Sequence, residues 1–473
     1  MRPDRPNVPR RPMPPTEDFD AIVIGTGQAG PPLAVRLAGA GRKTAIIERE
    51  HFGGTCVNNG CIPTKTLIAS ARAAWVARNA ASYGVALGGP VSVEMPQVKA
   101  RKDKVVAQSA KGVESWLRGT PNVTVIEGQA RFESAGVVRV GERHLAAPKI
   151  FINTGGRPIV PPFEGLSNVD YLTSTTMMDV DFLPEHLIVI GGSYIGLEFA
   201  QMYRRFGSRV TVVEMAPRLI AREDEAVSQA VREILEAEGI GVRLNAQCIA
   251  AQKRPGGVAV RANCEEEPRT IDGSHLLLAV GRAPNSDDMG LERAGVVTDA
   301  RGYIVVDDQL ATSAPGIFAL GDVNGRGGFT HTSYNDYEIV ASNLLDNEAR
   351  RVSDRIPVYA LFIDPPLARA GMNEREARAS KRRVLVGRRP MTRVGRARER
   401  GETQGFMQVL VDGETQRILG AALLGIEADE AIHCIIDVMN AGAPYTAIRR
   451  AVHIHPTVAE LIPTLLGELE PLR

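Results

Sequence analysis

Two of the five cysteines in this 473-residue chain stand five positions apart in the stretch HFGGTCVNNGCIPTK, residues 51–65. Two thiols at that spacing, Cys56 and Cys61, can staple a loop, share a metal ion or carry two electrons as a disulfide and dithiol. Zinc asks for about four ligands, and the neighbouring residues add only His51. A choice between the remaining readings depends on what surrounds the pair.

Directly before it runs DFDAIVIGTGQAGPPLAVRLAGAGRKTAIIERE. An apolar run from Ala21 to Ile24 leads into Gly25, Gly27 and Gly30, then a helical pattern, then a second apolar run that ends at Glu48. A G-x-G-x-x-G turn alone is weak evidence, since glycines mark any tight turn. Here it has a strand before it, a helix after it and an acid at the far end, which is the fingerprint of a dinucleotide fold. Bare backbone lets a pyrophosphate approach the helix N-terminus, and Glu48 is placed to bind ribose hydroxyls. The pattern recurs in HLIVIGGSYIGLEFAQMYRRFGSRVTVVEMAP, with Gly191, Ser193 and Gly196 at the turn and Glu214 at the end of the second run. Third glycine to acid is 18 residues in both units, 30 to 48 and 196 to 214. Ser193 replaces the middle glycine, which puts a side chain where a pyrophosphate is expected to pass. Two units imply two nucleotides; if the first is FAD, the cysteine pair directly after its ribose-binding acid can lie against the isoalloxazine, and the second would be NAD(P)H. In that context the redox reading of Cys56 and Cys61 wins.

Composition sets the frame. A formal charge of +1 gives no global attraction to nucleic acid or to an anionic membrane, and no apolar run approaches the roughly 18 residues of a membrane span. The opening MRPDRPNVPRRPMPP lacks the apolar core of a secretory signal, so residues 1–17 are read as a disordered tail and the protein as cytoplasmic. Stable disulfides are uncommon in that compartment, which also disfavours the staple.

The stretch GGTCVNNGCIPTK resembles the redox segment of the FAD-dependent pyridine nucleotide-disulfide oxidoreductases, and the resemblance runs from about residue 18 to the C-terminus. Among the branches, GGTCVNNGCIPTKTLIASARAA is most similar to mercuric-reductase-like flavoproteins, and INTGGRPIVPP, FTHTSYNDYEIV and RILGAALLG resemble the reactive-chlorine-resistance flavoproteins. The resemblance implies an α/β fold with two Rossmann-like domains and a C-terminal α+β dimerisation domain. FAD would take residues 18–155 and 283–350, NAD(P) residues 156–282, and the interface residues 351–473. It makes Cys56 the thiol that meets the substrate and Cys61 the thiol beside the flavin, with Thr55 lining the cofactor. Lys65 would pair with Glu198 near flavin N5. Asp322, in TSAPGIFALGDV, would bind the ribityl chain, Thr154 and Gly155 would reach the flavin where the chain leaves the first domain, and Gly281 would mark its return.

Near the end, VHIHPTVAELIP sets His455 before a proline and five residues from Glu460. It resembles the H-P-x-x-x-E base of disulfide-reducing members, which reaches the cysteines of a partner subunit and so implies a homodimer with a shared active site. An imidazole with an ordinary pKa of about 6.5 can exchange protons with a thiol near neutrality. His453 is the weaker candidate for the base. The implied activity is transfer of electrons from NADH or NADPH through FAD and the cysteine pair to a small-molecule disulfide or related oxidant. Reduction of Hg(II) or Cu(II) is the alternative, and a flavoprotein without enzymatic activity is a third reading that the filled catalytic positions disfavour. No resident metal set is read. The basic run SKRRVLVGRRPMTRVGRARER is taken as a solvated face, with a docking surface for an acidic partner as the alternative, and Cys248, Cys264 and Cys434 as packed thiols.

Overall fold

The computed structural model describes residues 16–263 and 270–472, which form two compact units. One contains the residues up to Asn58, Gln108–Arg157 and Ala283–Ser353; the other contains Asn59–Ala107, Pro158–Arg282 and Asp354–Arg473. The three-domain division expected from sequence differs in two ways: the expected NAD(P) and C-terminal segments share the second unit, and Asn59–Ala107, expected with the FAD segment, belongs to the second unit as well. Thr16 and Glu17, read as tail, belong to the strand Thr16–Asp18, which pairs with Arg143–Ala146. The rest of the expected tail, residues 1–15, and Cys264 lie outside the described residues.

The first unit is built on a five-stranded parallel sheet in the order Ile317–Ala319, Ile150–Ile152, Ala21–Ile24, Thr44–Glu48, Val123–Glu127. AIVI and IFI are buried at every position, as continuous apolar runs must be in a parallel sheet covered on both faces. The helix Gly30–Gly39 starts with two prolines in its first turn, where backbone N–H groups have no helical acceptor to lose. A second sheet of four strands, from Thr16–Asp18 to Ala130–Ser134, completes the unit.

The second unit repeats the design. Its parallel sheet runs Leu172–Thr173, His275–Leu278, His186–Ile190, Arg209–Val213, Gly241–Arg243, and the helix Tyr194–Phe206 follows the central strand. The helix Cys61–Arg78 packs along Tyr194–Phe206, burying Leu67 and Ala71 with Leu197 and Phe199 in one apolar cluster. A six-stranded antiparallel sheet, edged by Val358–Leu361 and Glu470–Pro471, carries the C-terminal residues. The alternation of strands and late helices read from sequence is therefore an α+β arrangement.

Candidate active site

In the first unit, Gly25 closes the strand Ala21–Ile24 with φ of 102°, and a Cβ there would stand 2.3 Å from the Asn153 carbonyl oxygen. A Cβ on Gly30 would stand 2.1 Å from the Gly25 oxygen. Side chains at either position would have to displace backbone, so the turn stays bare at the N-terminus of Gly30–Gly39, a cradle that fits the pyrophosphate of FAD. Glu48 is pinned at its head. Its Oε2 accepts from the Thr26 N–H at 3.0 Å and from the Thr26 hydroxyl, and its Oε1 accepts from the Arg49 and Glu50 N–H groups at 2.8 and 2.9 Å. Thr26 Oγ1 in turn accepts the Gly53 N–H at 3.0 Å, and a Cβ on Gly54 would come within 2.8 Å of the Gly27 Cα. The segment that carries Thr55 and Cys56 is thus tied to the nucleotide turn by one hydroxyl and one glycine–glycine contact. Thr26 was not singled out from sequence, because a threonine at an x position of the fingerprint has no distinguishing signal.

Asn153, in INTGG, is another residue sequence reasoning passed over. It is 6% exposed, and its Nδ2 lies 3.2 and 3.0 Å from the positions a Cβ would take on Gly27 and Gly30. Thr154 and Gly155 are held by Asn285: the Thr154 hydroxyl donates to the Asn285 carbonyl at 2.7 Å, the Asn285 amide returns a bond to the Thr154 carbonyl at 2.9 Å, and the Asn285 N–H donates to Gly155 at 2.9 Å. The half-buried Asp322 follows Gly321, whose N–H donates to the buried Asp336 at 2.8 Å, and Asn324 donates to the same carboxylate oxygen at 3.0 Å.

The turn of the second unit follows the same rules with one substitution. Gly191 has φ of 116°, and a Cβ on Gly196 would stand 2.0 Å from the Gly191 oxygen. Ser193 has extended backbone, φ −111° and ψ −175°, and its side chain is exposed, so the turn needs no glycine there. The tight position is Gly192, where a Cβ would meet Leu219 at 2.6 Å and Glu214 at 3.0 Å. Glu214 Oε2 accepts the Gly192 N–H at 2.6 Å and Oε1 the Ala216 N–H at 2.7 Å. Gly281 has φ of 124°, and its carbonyl accepts the Ile159 N–H at 3.0 Å.

Cys56 lies in the short helix Gly54–Asn58 and Cys61 opens the helix Cys61–Arg78; both are half-buried. A sulfur at the first position of an 18-residue helix sits at its positive end, where negative charge is favoured. One turn further along, the Lys65 ammonium donates to both oxygens of Glu198, at 3.1 and 2.8 Å. Glu198 is 6% exposed on the helix Tyr194–Phe206. That helix begins at Tyr194, whose hydroxyl donates to Glu223 Oε1 at 2.9 Å, and the Tyr359 hydroxyl donates to the same oxygen at 2.7 Å. Burial is the first cause that holds both phenols above their ordinary range, and the Glu223 charge adds to it. Asp224 accepts from the buried Arg369 at 2.8 Å.

Late in the chain, His455 Nδ1 lies 2.9 and 3.1 Å from the two Glu460 oxygens, and the His455 side chain is 78% exposed. Arg396 Nη2 donates to the Pro456 carbonyl at 2.6 Å and fixes the loop. Val452 is fully exposed beside it and Ile454 is 80% exposed. His453 reaches only the Ala451 carbonyl, at 3.4 Å. In the basic run, Arg382, Arg388 and Arg400 have exposed side chains with carboxylate partners and the half-buried Arg396 is paired as well, whereas Arg389 pairs with Glu468 and is largely covered. Cys434 donates to the Ala431 carbonyl at 3.3 Å, and burial pushes its thiol up; Cys248 is a residue of the strand Gln247–Arg254.

Two glycine cradles with pinned acids, a cysteine pair at the start of one helix and a paired lysine fit a dinucleotide-dependent redox protein. Residues 19–336 match the family model for pyridine nucleotide-disulphide oxidoreductases, and residues 358–466 match the dimerisation domain of the same family. The chain belongs to this family, whose members are enzymes that use FAD and NAD(P)H. It is 38% identical to the probable pyridine nucleotide-disulfide oxidoreductase RclA of Escherichia coli K12, over 95% of this chain and 99% of that one. It is 33% identical to a dihydrolipoyl dehydrogenase of Geobacillus stearothermophilus, with 94% of each chain covered. Among solved structures, a Cu(II) complex of the HOCl-induced flavoprotein disulfide reductase RclA from Escherichia coli superposes with a TM-score of 0.87 at 36% identity, covering 96% of this chain and 99% of that one.

Proposed function

We propose that the chain reduces a small disulfide or related oxidant at Cys56 and Cys61, in a homodimer whose active site takes His455 and Glu460 from the partner subunit. The observation that carries this reading is the His455–Glu460 pair, held at 2.9 Å with the imidazole 78% exposed and the carboxylate 16% exposed, directly after the exposed Val452 and Ile454. A base built with its own orienting carboxylate and an imidazole open to solvent fits a site completed by a second copy. In this reading residues 18–155 and 283–350 hold FAD, 156–282 hold NAD(P)H and 351–473 form the interface.

FAD, when bound, supplies the two-electron relay between the nicotinamide and the cysteines. Gly25, Gly27 and Gly30 would hold its pyrophosphate, Glu48 its adenosine ribose and Asp322 its ribityl chain, with Thr154 and Gly155 toward its ring; the Lys65–Glu198 pair is the one the family resemblance assigns to flavin N5. In the dithiol state the Cys56 thiolate attacks one sulfur of the substrate disulfide; the substrate S–S bond breaks as a Cys56–substrate disulfide forms. The leaving thiolate takes its proton from His455, and Glu460 stabilises the imidazolium and fixes its tautomer. Cys61 thiolate then attacks Cys56, closing the Cys56–Cys61 disulfide and releasing the second half of the substrate as a thiolate, which takes a proton from solvent; the proton that His455 gave to the first came from the Cys56 thiol. Two electrons have left the dithiol and two thiols have formed. Because the reductant is NAD(P)H, a cytoplasmic location goes with this reading.

A metal-ion reductase is the second reading, favoured by the Cu(II) complex of the similar RclA. The test is NADH oxidation by the FAD-loaded dimer with disulfides, quinones, Cu(II) and Hg(II), repeated with a mixture of Cys56→Ser and His455→Ala chains under subunit exchange. Turnover of a disulfide and partial recovery in the mixture are expected. Turnover of the metal ions alone overturns the disulfide reading, and absence of recovery despite exchange removes the shared site.

A further inference from the structure

The Lys65–Glu198 pair has a third member. Phe362, directly after the strand Val358–Leu361, donates its backbone N–H to Glu198 Oε1 at 3.0 Å. Its ring lies under the Lys65 ammonium, with Nζ 4.5 Å from the ring centroid. One residue therefore touches both halves of the pair, the carboxylate through its main chain and the ammonium through its side chain. Lysine is a point charge on a flexible four-carbon stem, and a two-point contact with a carboxylate leaves the stem free to swing about that contact. A ring face within about 6 Å attracts the cation and removes that freedom. Glu198, 6% exposed, is in turn held by a backbone N–H that neither leucine nor tyrosine at 362 deletes. The lysine side chain is the exposed partner, 36% against 8% for Glu198, so it is the half that needs holding.

We propose that Phe362 is a positioning residue for electron entry: its ring fixes the Lys65 ammonium where the reducible ring of the flavin is received. The inference rests on the reading of Lys65 given above. It assigns a part in the reaction to a residue of the C-terminal segment in the same chain, whereas that segment otherwise serves the interface and the histidine.

The test uses the FAD-loaded dimer and two readouts, the limiting rate of anaerobic flavin reduction by NADH in stopped flow and the flavin midpoint potential. Phe362→Leu keeps an apolar side chain and removes the ring; Phe362→Tyr keeps the ring. For Leu the limiting rate falls about three- to tenfold, the kinetic equivalent of ~0.7–1.4 kcal/mol of a lost cation–π contact, with the NADH concentration at half-saturation unchanged. The midpoint potential falls too, because a cation held near the ring favours the more negative reduced flavin. Tyr restores both readouts, and adding Phe362→Leu to Lys65→Met changes neither further. Phe362→Leu at wild-type rate and potential overturns the proposal, as does a Tyr variant as slow as Leu or an undiminished effect of Leu in the Lys65→Met background. If Lys65→Met itself leaves both readouts unchanged, the placement of Lys65 fails, and the proposal fails with it for that separate reason.

Discussion

On the function proposed above, Glu214 sets which nicotinamide nucleotide the second turn accepts, and the hydrogen bonds that hold it allow the size of the effect to be worked out. Each of its oxygens accepts one backbone N–H, from Gly192 and Ala216, so the carboxylate is aimed and cannot rotate away, yet each oxygen keeps a lone pair for a ribose hydroxyl. A 2′-phosphate in that place would bring negative charge to a fixed, half-buried carboxylate. At about 5 Å and an effective dielectric between that of the protein surface and of water, the repulsion is on the order of 1–2 kcal/mol, or roughly a five- to thirtyfold ratio in kcat/KM. NADH is therefore the expected donor. Arg218, the nearest cation in sequence, donates to the Ala221 carbonyl at 3.2 Å, which occupies one of its N–H groups and limits how far it offsets that charge. Glu214→Gln removes the charge and keeps the shape, at the expense of facing one amide N–H with another donor, a loss of about 1 kcal/mol that falls on both nucleotides alike. The variant raises kcat/KM for NADPH by roughly fivefold or more and lowers that for NADH by less, measured by initial rates with a fixed oxidant. A wild-type enzyme that prefers NADPH, or a Gln variant with an unchanged NADPH to NADH ratio, refutes the electrostatic argument.

Three further outcomes are expected. In the two-electron-reduced protein, Cys61→Ser abolishes the long-wavelength thiolate-to-flavin absorbance, whereas Cys56→Ser shows it even when oxidised; identical spectra mean the two sulfurs have been exchanged in this account. Arg369→Met strands the buried Asp224 and Glu223 carboxylates and costs about 3–5 kcal/mol, seen as a lower unfolding midpoint that Glu223→Gln partly restores; an unchanged midpoint refutes it. His186, buried with Nε2 2.9 Å from the Thr211 hydroxyl, has its pKa lowered by burial and then by Arg209. The unfolded chain takes up that proton below about pH 6.5 while the folded chain resists, so stability falls as pH drops through that value; His186→Asn flattens the slope between about pH 7 and 5, and an unaltered slope rules this histidine out.

What the sequence discloses and what it hides follow from where the physical constraint is written. Both nucleotide turns are legible because their function depends on the absence of side chains: Gly25, Gly30, Gly191 and Gly196 cannot be replaced without driving a Cβ into backbone oxygen. Ser193 is the instructive exception, since the backbone there is extended and the demand for glycine has moved to Gly192, which only the packing of Leu219 and Glu214 reveals. Lys65 and Glu198 were paired through family resemblance, 133 residues apart, and no local pattern would have joined them. Residues that act through a hydroxyl, an amide or a ring brought in from elsewhere leave no mark in their own neighbourhood. Thr26 links Glu48 to Gly53, Asn285 fastens Thr154, Glu223 collects two tyrosines, and Phe362 touches both halves of the lysine pair. In each case the partner lies at least 22 residues away, and the side chain is of a kind that packs unremarkably in thousands of other settings. The atoms that handle electrons are thus written as motifs, whereas the atoms that hold them still are written only in the fold, which is why substitutions at Phe362 and Glu214 test the structure more severely than substitutions at the cysteines.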